Sequence, residues 1–500
     1  MAVYALLLLT WVRLWLMPLG SSLWLDETGT YYLATLGWDD YIAGRLPQIQ
    51  TPLYTAFMHV FATLTGPNEV LLRLPSVLAM TLAAVLLYRI ALRFADEEAG
   101  LISVAVFVVI PFNVFAAADA RPYGLAMFAA VGAMLMLLRW LDDGQFSNGM
   151  LYILLAGLTV HLHYAFATTL LIHGAYVAMT FRRNKISVLG AALAAASIGL
   201  LLLPLAPAIG SLMVSAGVHT FAGPPQLNDF FASFVPVNVV SSLWLGVLAA
   251  ALFANARIRL ETVRGSFSGL ALCWIVIPPA SLFLFSWLSG ANVFVSRYYL
   301  PAFAGVSMLL GVTVRAIRPV RARQAAVALL LVVGMTSKGI MVLWPTHGFE
   351  DWRGAVQAVR LLAGNEAIPV LFETGFVEAS RQEWLTRDEY RKVLLAPLMV
   401  YPLETQVVTL PAGLDEASVK YIDAAVNDVV IPNRRVILLG HARGNSLVSW
   451  LRGRLWSLGY SGQSVGRFGN VVVILFERRP ELESRAPRTY GTLQDQPATF

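Results

Sequence analysis

The chain has 500 residues, of which 57% are hydrophobic and only 13% charged, and its mean hydropathy is +0.66. Soluble domains carry about 25% charged residues, so the composition excludes an ordinary soluble protein and indicates a polytopic membrane protein. The net charge of +6 does not point to nucleic acid, because the Lys and Arg residues cluster in short loops between apolar runs. The single cysteine, Cys273, excludes an intrachain disulfide and a cysteine-based metal site.

Apolar runs long enough to cross a hydrocarbon core of ~30 Å recur along the chain. In order they cover 2–20, 70–93, 99–118, 121–141, 149–164, 165–181, 187–207, 238–256, 266–288, 298–316 and 324–344, about eleven spans in all. The first has no charged segment ahead of it and reads as an uncleaved span rather than a signal peptide. Basic clusters follow even-numbered spans: "YRIALRF", "FRRNK", "ARIRLETVR" and "RAIRPVRARQ". The positive-inside rule then puts these loops and the N-terminus in the cytoplasm.

Three segments are expected outside. The first is the outer loop 21–69, whose "QTPLYTAFMHVFATLTG" reads as helix lying at the interface. The second is the loop 210–236, with "AGPPQLND" inside it. The third begins after residue 344. Short β-rich runs there, "IPVLFET", "QVVTLP", "RRVILLGH" and "NVVVILFERR", alternate with helical stretches. They read as an α/β domain over 345–483, followed by a disordered tail, 484–500. "LLGHARGNS" contains no nucleophile elbow. The expected class is mostly α, with a transmembrane domain over 1–344 and a C-terminal extracytoplasmic α/β domain.

Ionisable residues near apolar spans carry most information in such a chain. On this topology they gather on the outer face. Asp26 and Glu27 follow the first span and Arg73 opens the second. Asp119 and Arg121 occupy the turn between the third and fourth. His161 and His163 sit between the fifth and sixth, and Arg297 precedes the tenth. Cations that hold a phosphate and a carboxylate that takes a proton suit a polar headgroup site.

The motifs "WLDETGTYYLA", "TPLYTAFMHVF", "LLRLPSVLAM", "ADARPYGLAMF", "HYAF", "SRYYLPAF" and "DWRGAV" occur in an order that resembles the GT-C superfamily of membrane glycosyltransferases. The resemblance lies with its protein-O-mannosyltransferase-like, aminoarabinose transferase-like and rhizobial galacturonosyltransferase-like branch (glycosyltransferase family 39/83 type). It covers nearly the whole chain. It implies inverting transfer of a sugar from a polyprenyl-phosphate donor to an acceptor hydroxyl at the periplasmic face of a bacterial inner membrane. The acceptor would be a glycan, lipid or protein, and membrane lipids would surround the enzyme. The family's catalytic acid position falls on Asp26 as general base, with Asp119 at the second acidic position and Glu27 in support. Arg297, Arg121 and Arg73 would stabilise the leaving phosphate, with a hydroxyl from Tyr298. His163 and Tyr123 stand behind them, lining the substrate or a metal. The resemblance assigns no certain cofactor. A divalent cation seen in some relatives is left open, with His163 and Glu27 as conceivable ligands but no defined metal site.

Two departures affect the donor. Thr51 replaces a basic residue common in relatives, and Gly29 stands where aminoarabinose transferases resemble one another in having Arg. The competing functions are a lipid flippase or transporter, which predicts mid-span charges and symmetric halves, and a polysaccharide polymerase or ligase, which favours a large late loop with paired arginines.

Overall fold

The structure is a computed structural model that describes residues 2–37, 51–214, 223–234, 239–246, 257–258, 266–337, 339, 341–441 and 445–479. The expected tail 484–500, most of the 238–256 span and parts of both outer loops lie outside the described residues. The chain forms two compact units, Met1–Gly348 and Phe349–Phe500.

The first unit is helical. Helix α1 (Ala2–Trp11) continues through a π turn, Val12–Leu16, and a 3-10 turn, Met17–Gly20. There follow α2 (Leu25–Thr35), α3 (Pro52–Thr65), α4 (Glu69–Phe94), α5 (Glu97–Val109), α6 (Pro111–Ala117), α7 (Tyr123–Asp143) and α8 (Phe146–Leu162). Then come α9 (Thr168–Thr180), α10 (Val188–Leu202), α11 (Ala206–Val214), α12 (Leu227–Ser233), α13 (Phe267–Ser289), α14 (Ala302–Arg315) and α15 (Val320–Thr336). Two-residue strands β1 (Arg257–Ile258) and β2 (Ile317–Arg318) pair antiparallel.

Among the described residues, six helical stretches are long and apolar enough to cross a membrane, or seven with the α5–α6 pair. The third expected span, 99–118, is this pair, bent by 74°. The reason is local. Pro111 has no N–H to give, and the residue before a proline is pushed out of the helical region. Ile110 accordingly has φ −60° and ψ 123°. Phe146–Leu162 and Ala302–Arg315 are apolar but shorter than a full span.

Helix starts and ends follow side-chain chemistry. The Asn68 carboxamide accepts from Leu71 N at 2.9 Å to open α4, and the Asp96 carboxylate accepts from Ala99 N at 2.9 Å to open α5. Gly144, at φ 69°, ends α7 in a left-handed turn. Packing between spans uses small residues. A Cβ on Gly311 of α14 would lie 2.1 Å from Ser103 Oγ and 2.9 Å from Ala99 O of α5, so α5 and α14 touch through backbone.

The basic loops also find partners. Arg315 pairs with Asp96 at 2.8 Å, and Arg323 with Glu98 at 2.5 Å. These pairs lie beyond the C-terminal end of α4, whereas Arg73 lies near its start. Twenty residues of helix separate Arg73 from Arg93, about 30 Å at 1.5 Å per residue. The cluster containing Arg73 therefore sits at the other end of the bundle from the basic loops.

The second unit is a mixed sheet with helices. Strands β3 (Val370–Glu373), β4 (Val407–Leu410), β5 (Arg435–His441), β6 (Tyr460–Phe468) and β7 (Val471–Arg478) take the order β4-β3-β5-β7-β6. β3 runs parallel to β4 and β5, while β7 is antiparallel to both β5 and β6. Helices α16 (Trp352–Ala363), α17 (Glu416–Ala425) and α18 (Asn445–Ser457) supply the cover. Leu371, Leu438, Ile474 and Phe476 from the strands pack with Ile422 of α17 and Leu451 of α18 in one apolar core.

Candidate active site

The acidic pair of the first outer loop opens α2. Successive residues on a helix point about 100° apart, and the two carboxylates enter different surroundings. Glu27 turns inward. One of its oxygens accepts from Arg73 Nε at 2.7 Å and from Ala120 N at 2.8 Å; the other accepts from Arg73 Nη2 and from Trp24 N at 3.1 Å. The last bond caps the start of α2, where a negative charge is favoured. Both Glu27 and Arg73 are fully buried.

Arg73 is committed to the fold. Its Nη1 donates to the carbonyls of Leu19 at 2.8 Å and Ser21 at 2.7 Å, and its Nη2 donates to that of Ser22 at 2.9 Å. It thereby pins the segment that carries the chain from α1 into α2. A buried guanidinium with these partners has no face to offer a donor phosphate.

Asp26 turns the other way. Its Oδ2 lies 3.2 Å from Arg297 Nη1, and the two side chains remain 22% and 24% exposed. Arg121 Nη1 donates to the Asp26 carbonyl at 3.3 Å. Arg121 Nε is buried and, among the described residues, has no hydrogen-bond partner. Burial disfavours the charge on both arginines. Together the raising neighbours outweigh that cost, Asp26, Tyr123 and Asp119 for Arg121 and Tyr123, Asp26, Tyr298 and Asp119 for Arg297, so both stay above the usual guanidinium value. Tyr298 lies beside them, with the Arg297 guanidinium 5.7 Å from its ring centre.

His163 lies behind this group, its ring 4.9 Å from Tyr123 and 5.2 Å from Tyr298. Burial, with Arg121 and Arg297 nearby, pushes its pKa down to about 3, so it is a neutral wall rather than a cation. His161, grouped with it on the sequence, lies elsewhere. Its Nε2 bonds to the Leu201 carbonyl at 2.9 Å. Thr51 ties α3 to the same turn by donating to the Leu162 carbonyl at 2.9 Å.

Asp119 lies deeper than Asp26. Its Oδ1 accepts from Trp24 Nε1 at 3.0 Å and is 3.5 Å from His347 Nε2. Its Oδ2 is buried and, among the described residues, has no partner. Burial raises this carboxyl to about 7. His347 was not singled out on the sequence. It lies three residues past the last expected span, and nothing in that position announces that Ser21 Oγ accepts its backbone N–H at 3.0 Å. Trp24 was hidden in the same way, as an aromatic in an apolar run.

Glu27, Asp119 and His347 each place one ligand atom within 4.8 Å of the others. That is the composition of a cation site, but the chemistry fits poorly. All four lone-pair positions of Glu27 are filled by N–H donors, two of them from a guanidinium. The open oxygen is Asp119 Oδ2, and one carboxylate oxygen with one imidazole is below the ligand count that zinc or calcium takes. Of the two ligands conceived from sequence, Glu27 is in this cluster and His163 is not.

Residues 49–207 match a family model described as dolichyl-phosphate-mannose-protein mannosyltransferase. The whole architecture is similar to crystal structures of ArnT from Cupriavidus metallidurans. The apo form is 11% identical at TM-score 0.54, with 95% of this chain and 97% of that chain covered. The form bound to undecaprenyl phosphate is 13% identical at the same score and coverage. An oligosaccharyltransferase from Archaeoglobus fulgidus in the apo form is 12% identical at TM-score 0.50, with 94% and 74% covered. The fold is GT-C. No curated protein sequence matches the chain. In this GT-C membrane protein, Asp26, Arg297, Arg121, Tyr298, Tyr123 and His163 form one neighbourhood. Glu27 and Arg73 form a buried brace beneath it, and Asp119 with His347 lies against that brace.

Proposed function

We propose that this chain is an inverting glycosyltransferase that uses a polyprenyl-phosphate-linked sugar and an acceptor hydroxyl, with Asp26 as general base. The observation that carries the reading is the Asp26–Arg297 pair: a solvent-reachable carboxylate beside two arginines, one with a buried unpartnered N–H. The donor phosphate would take over Arg297 and the free N–H of Arg121, since planar guanidinium forks match phosphate oxygens. Withdrawing Arg297 from Asp26 frees the carboxylate. Asp26 then accepts the proton of the acceptor hydroxyl as that oxygen forms its bond to the anomeric carbon. The anomeric carbon–phosphate oxygen bond breaks, and its electron pair leaves with polyprenyl phosphate. Arg121 and Arg297 stabilise that charge without donating a proton to it.

Within this proposal Glu27 and Arg73 hold the loop that carries Asp26, and Asp119 fixes Trp24 at the start of α2. The site opens to the outer face of a bacterial inner membrane, with the N-terminus in the cytoplasm and the second unit outside. The acceptor is a glycan, lipid or protein. The end-of-bundle separation between the arginine site and the basic loops supports that orientation. ArnT bound to undecaprenyl phosphate supports the choice of carrier.

The test is donor consumption by purified protein given a panel of undecaprenyl-phosphate sugars and acceptor extracts. One donor should be consumed by the native chain and none by Asp26→Asn. Equal turnover by Asp26→Asn would remove the base assignment. Movement of intact donor between leaflets, without consumption, would replace the enzyme by a flippase.

A further inference from the structure

The turn 291–301 divides its side chains between two places. Arg297 and Tyr298 face Asp26 and His163. Phe294 and Tyr299 face a different cavity, of about 610 Å³, bounded also by Phe112 of α6, Phe303 of α14 and Gln226 and Asp229 at α12. The volume is in the range of small-molecule sites.

The rings that line this cavity, Phe112, Phe294, Tyr299 and Phe303, belong to a longer run of rings that continues past the lining to Phe283 and Phe230. Phe230 meets Phe283 at 5.0 Å between ring centres, Phe283 meets Phe294 at 5.5 Å, and Phe294 meets Tyr299 at 5.3 Å. Tyr299 meets Phe303 at 6.1 Å, and Phe303 stacks on Phe112 at 5.2 Å with planes 12° apart. Tyr299 and Phe303 are buried and hold the more open rings of Phe294 and Phe112 in place before any ligand arrives. Opposite them is one carboxylate. Asp229 Oδ2 accepts from Gln226 N at 2.9 Å, which fixes its direction. Asp229 and Tyr299 both line this cavity, so the two groups share its space.

The chemistry of the lining selects among ligands. Among the described residues it contains no Lys, Arg or His, so a phosphate would meet a carboxylate and no cation there. A purely hydrocarbon tail would cover the Asp229 charge while giving it no donor beyond the Gln226 N–H. A sugar ring satisfies both sides. Its C–H face is apolar and flat enough to lie on an aromatic ring, and its hydroxyls donate to a carboxylate and an amide oxygen. We infer that this cavity is the acceptor subsite, and that the acceptor is an uncharged sugar residue of a glycan stacked on Phe294 and Phe112, the lining rings that keep exposed surface, with hydroxyls on Asp229. The inference rests on the proposed glycosyl transfer, because it is the two-residue step from Tyr299 to Arg297 that puts the stacked sugar beside the phosphate site.

Binding separates this inference from the catalytic one. The full chain in nanodiscs is titrated with a panel of labelled neutral oligosaccharides and, separately, with undecaprenyl phosphate. At least one neutral oligosaccharide should bind. Asp229→Asn and Phe294→Ala should each weaken it about tenfold, the loss of one charged hydrogen bond or one stacking face, with undecaprenyl phosphate binding retained as proof of folding. Phe112→Leu, at a ring 37% exposed, gives a gentler third variant with loss in the same direction. Absence of oligosaccharide binding by the native chain overturns the inference. So does equal binding by all three variants, or loss of undecaprenyl phosphate binding in their place, which would make the cavity a lipid site. Oligosaccharide binding without undecaprenyl phosphate binding would sustain the subsite while removing the proposed donor.

Discussion

Glu27→Gln and Asp26→Asn make the same chemical change at neighbouring residues, and the structure assigns them very different costs. Glu27 accepts four N–H donors, two from Arg73, with both side chains fully buried. Glutamine keeps the volume but offers one carbonyl oxygen, and its NH₂ must face an N–H donor. The guanidinium then stays buried without its counter-charge, a loss on the order of 3–5 kcal/mol. Asp26 meets Arg297 at 3.2 Å in a pair about one-quarter exposed, and removing that charge costs roughly 1 kcal/mol or less. The difference of at least about 2 kcal/mol exceeds a tenfold change in the unfolding equilibrium. Thermal unfolding in nanodiscs, followed by tryptophan fluorescence, reads it directly. Glu27→Gln should lower the midpoint strongly, and Asp26→Asn should leave it near the native value while removing transfer. Equal midpoints for the two variants would refute the division of the acidic pair into brace and base.

Three further outcomes follow from the same geometry. Arg297→Ala should raise the donor KM and lower kcat, while Arg297→Lys, a cation without the planar fork, recovers part of kcat; donor kinetics on both variants decide it. Asp119 holds its proton to about pH 7 in the fold, against 3.8 for an ordinary aspartate. The folded chain therefore binds more protons across that window, and stability falls as pH rises through it. Asp119→Asn should flatten this fall, checked by unfolding midpoints at about pH 5 and about pH 8. Gly311→Val should separate α5 from α14, since the first added carbon already meets Ser103 Oγ at 2.1 Å. Overpacking of this kind costs about 1–3 kcal/mol or more, visible as a lower midpoint in the same unfolding assay.

The sequence alone determined the class of the protein, because membrane spans are written in local composition. A run of about 20 apolar residues must find hydrocarbon wherever it lies in the chain, and β-rich runs between Gly, Pro and Asn mark a sheet on the same local ground. It also put Asp26, Arg121 and Arg297 at one depth, since each sits at a span end. Tertiary structure decided what each charge does. Asp26 and Glu27 are indistinguishable as letters, yet helix geometry sends one to Arg297 and the other to Arg73. Arg73 reads as a phosphate ligand until the carbonyls of residues 19, 21 and 22 are seen around it. His347 and the aromatic cavity were illegible for the same physical reason. His347 finds Ser21 and the cavity joins Phe112 to Phe303 across long stretches of chain, and no local pattern encodes contacts that exist only once the helices have packed.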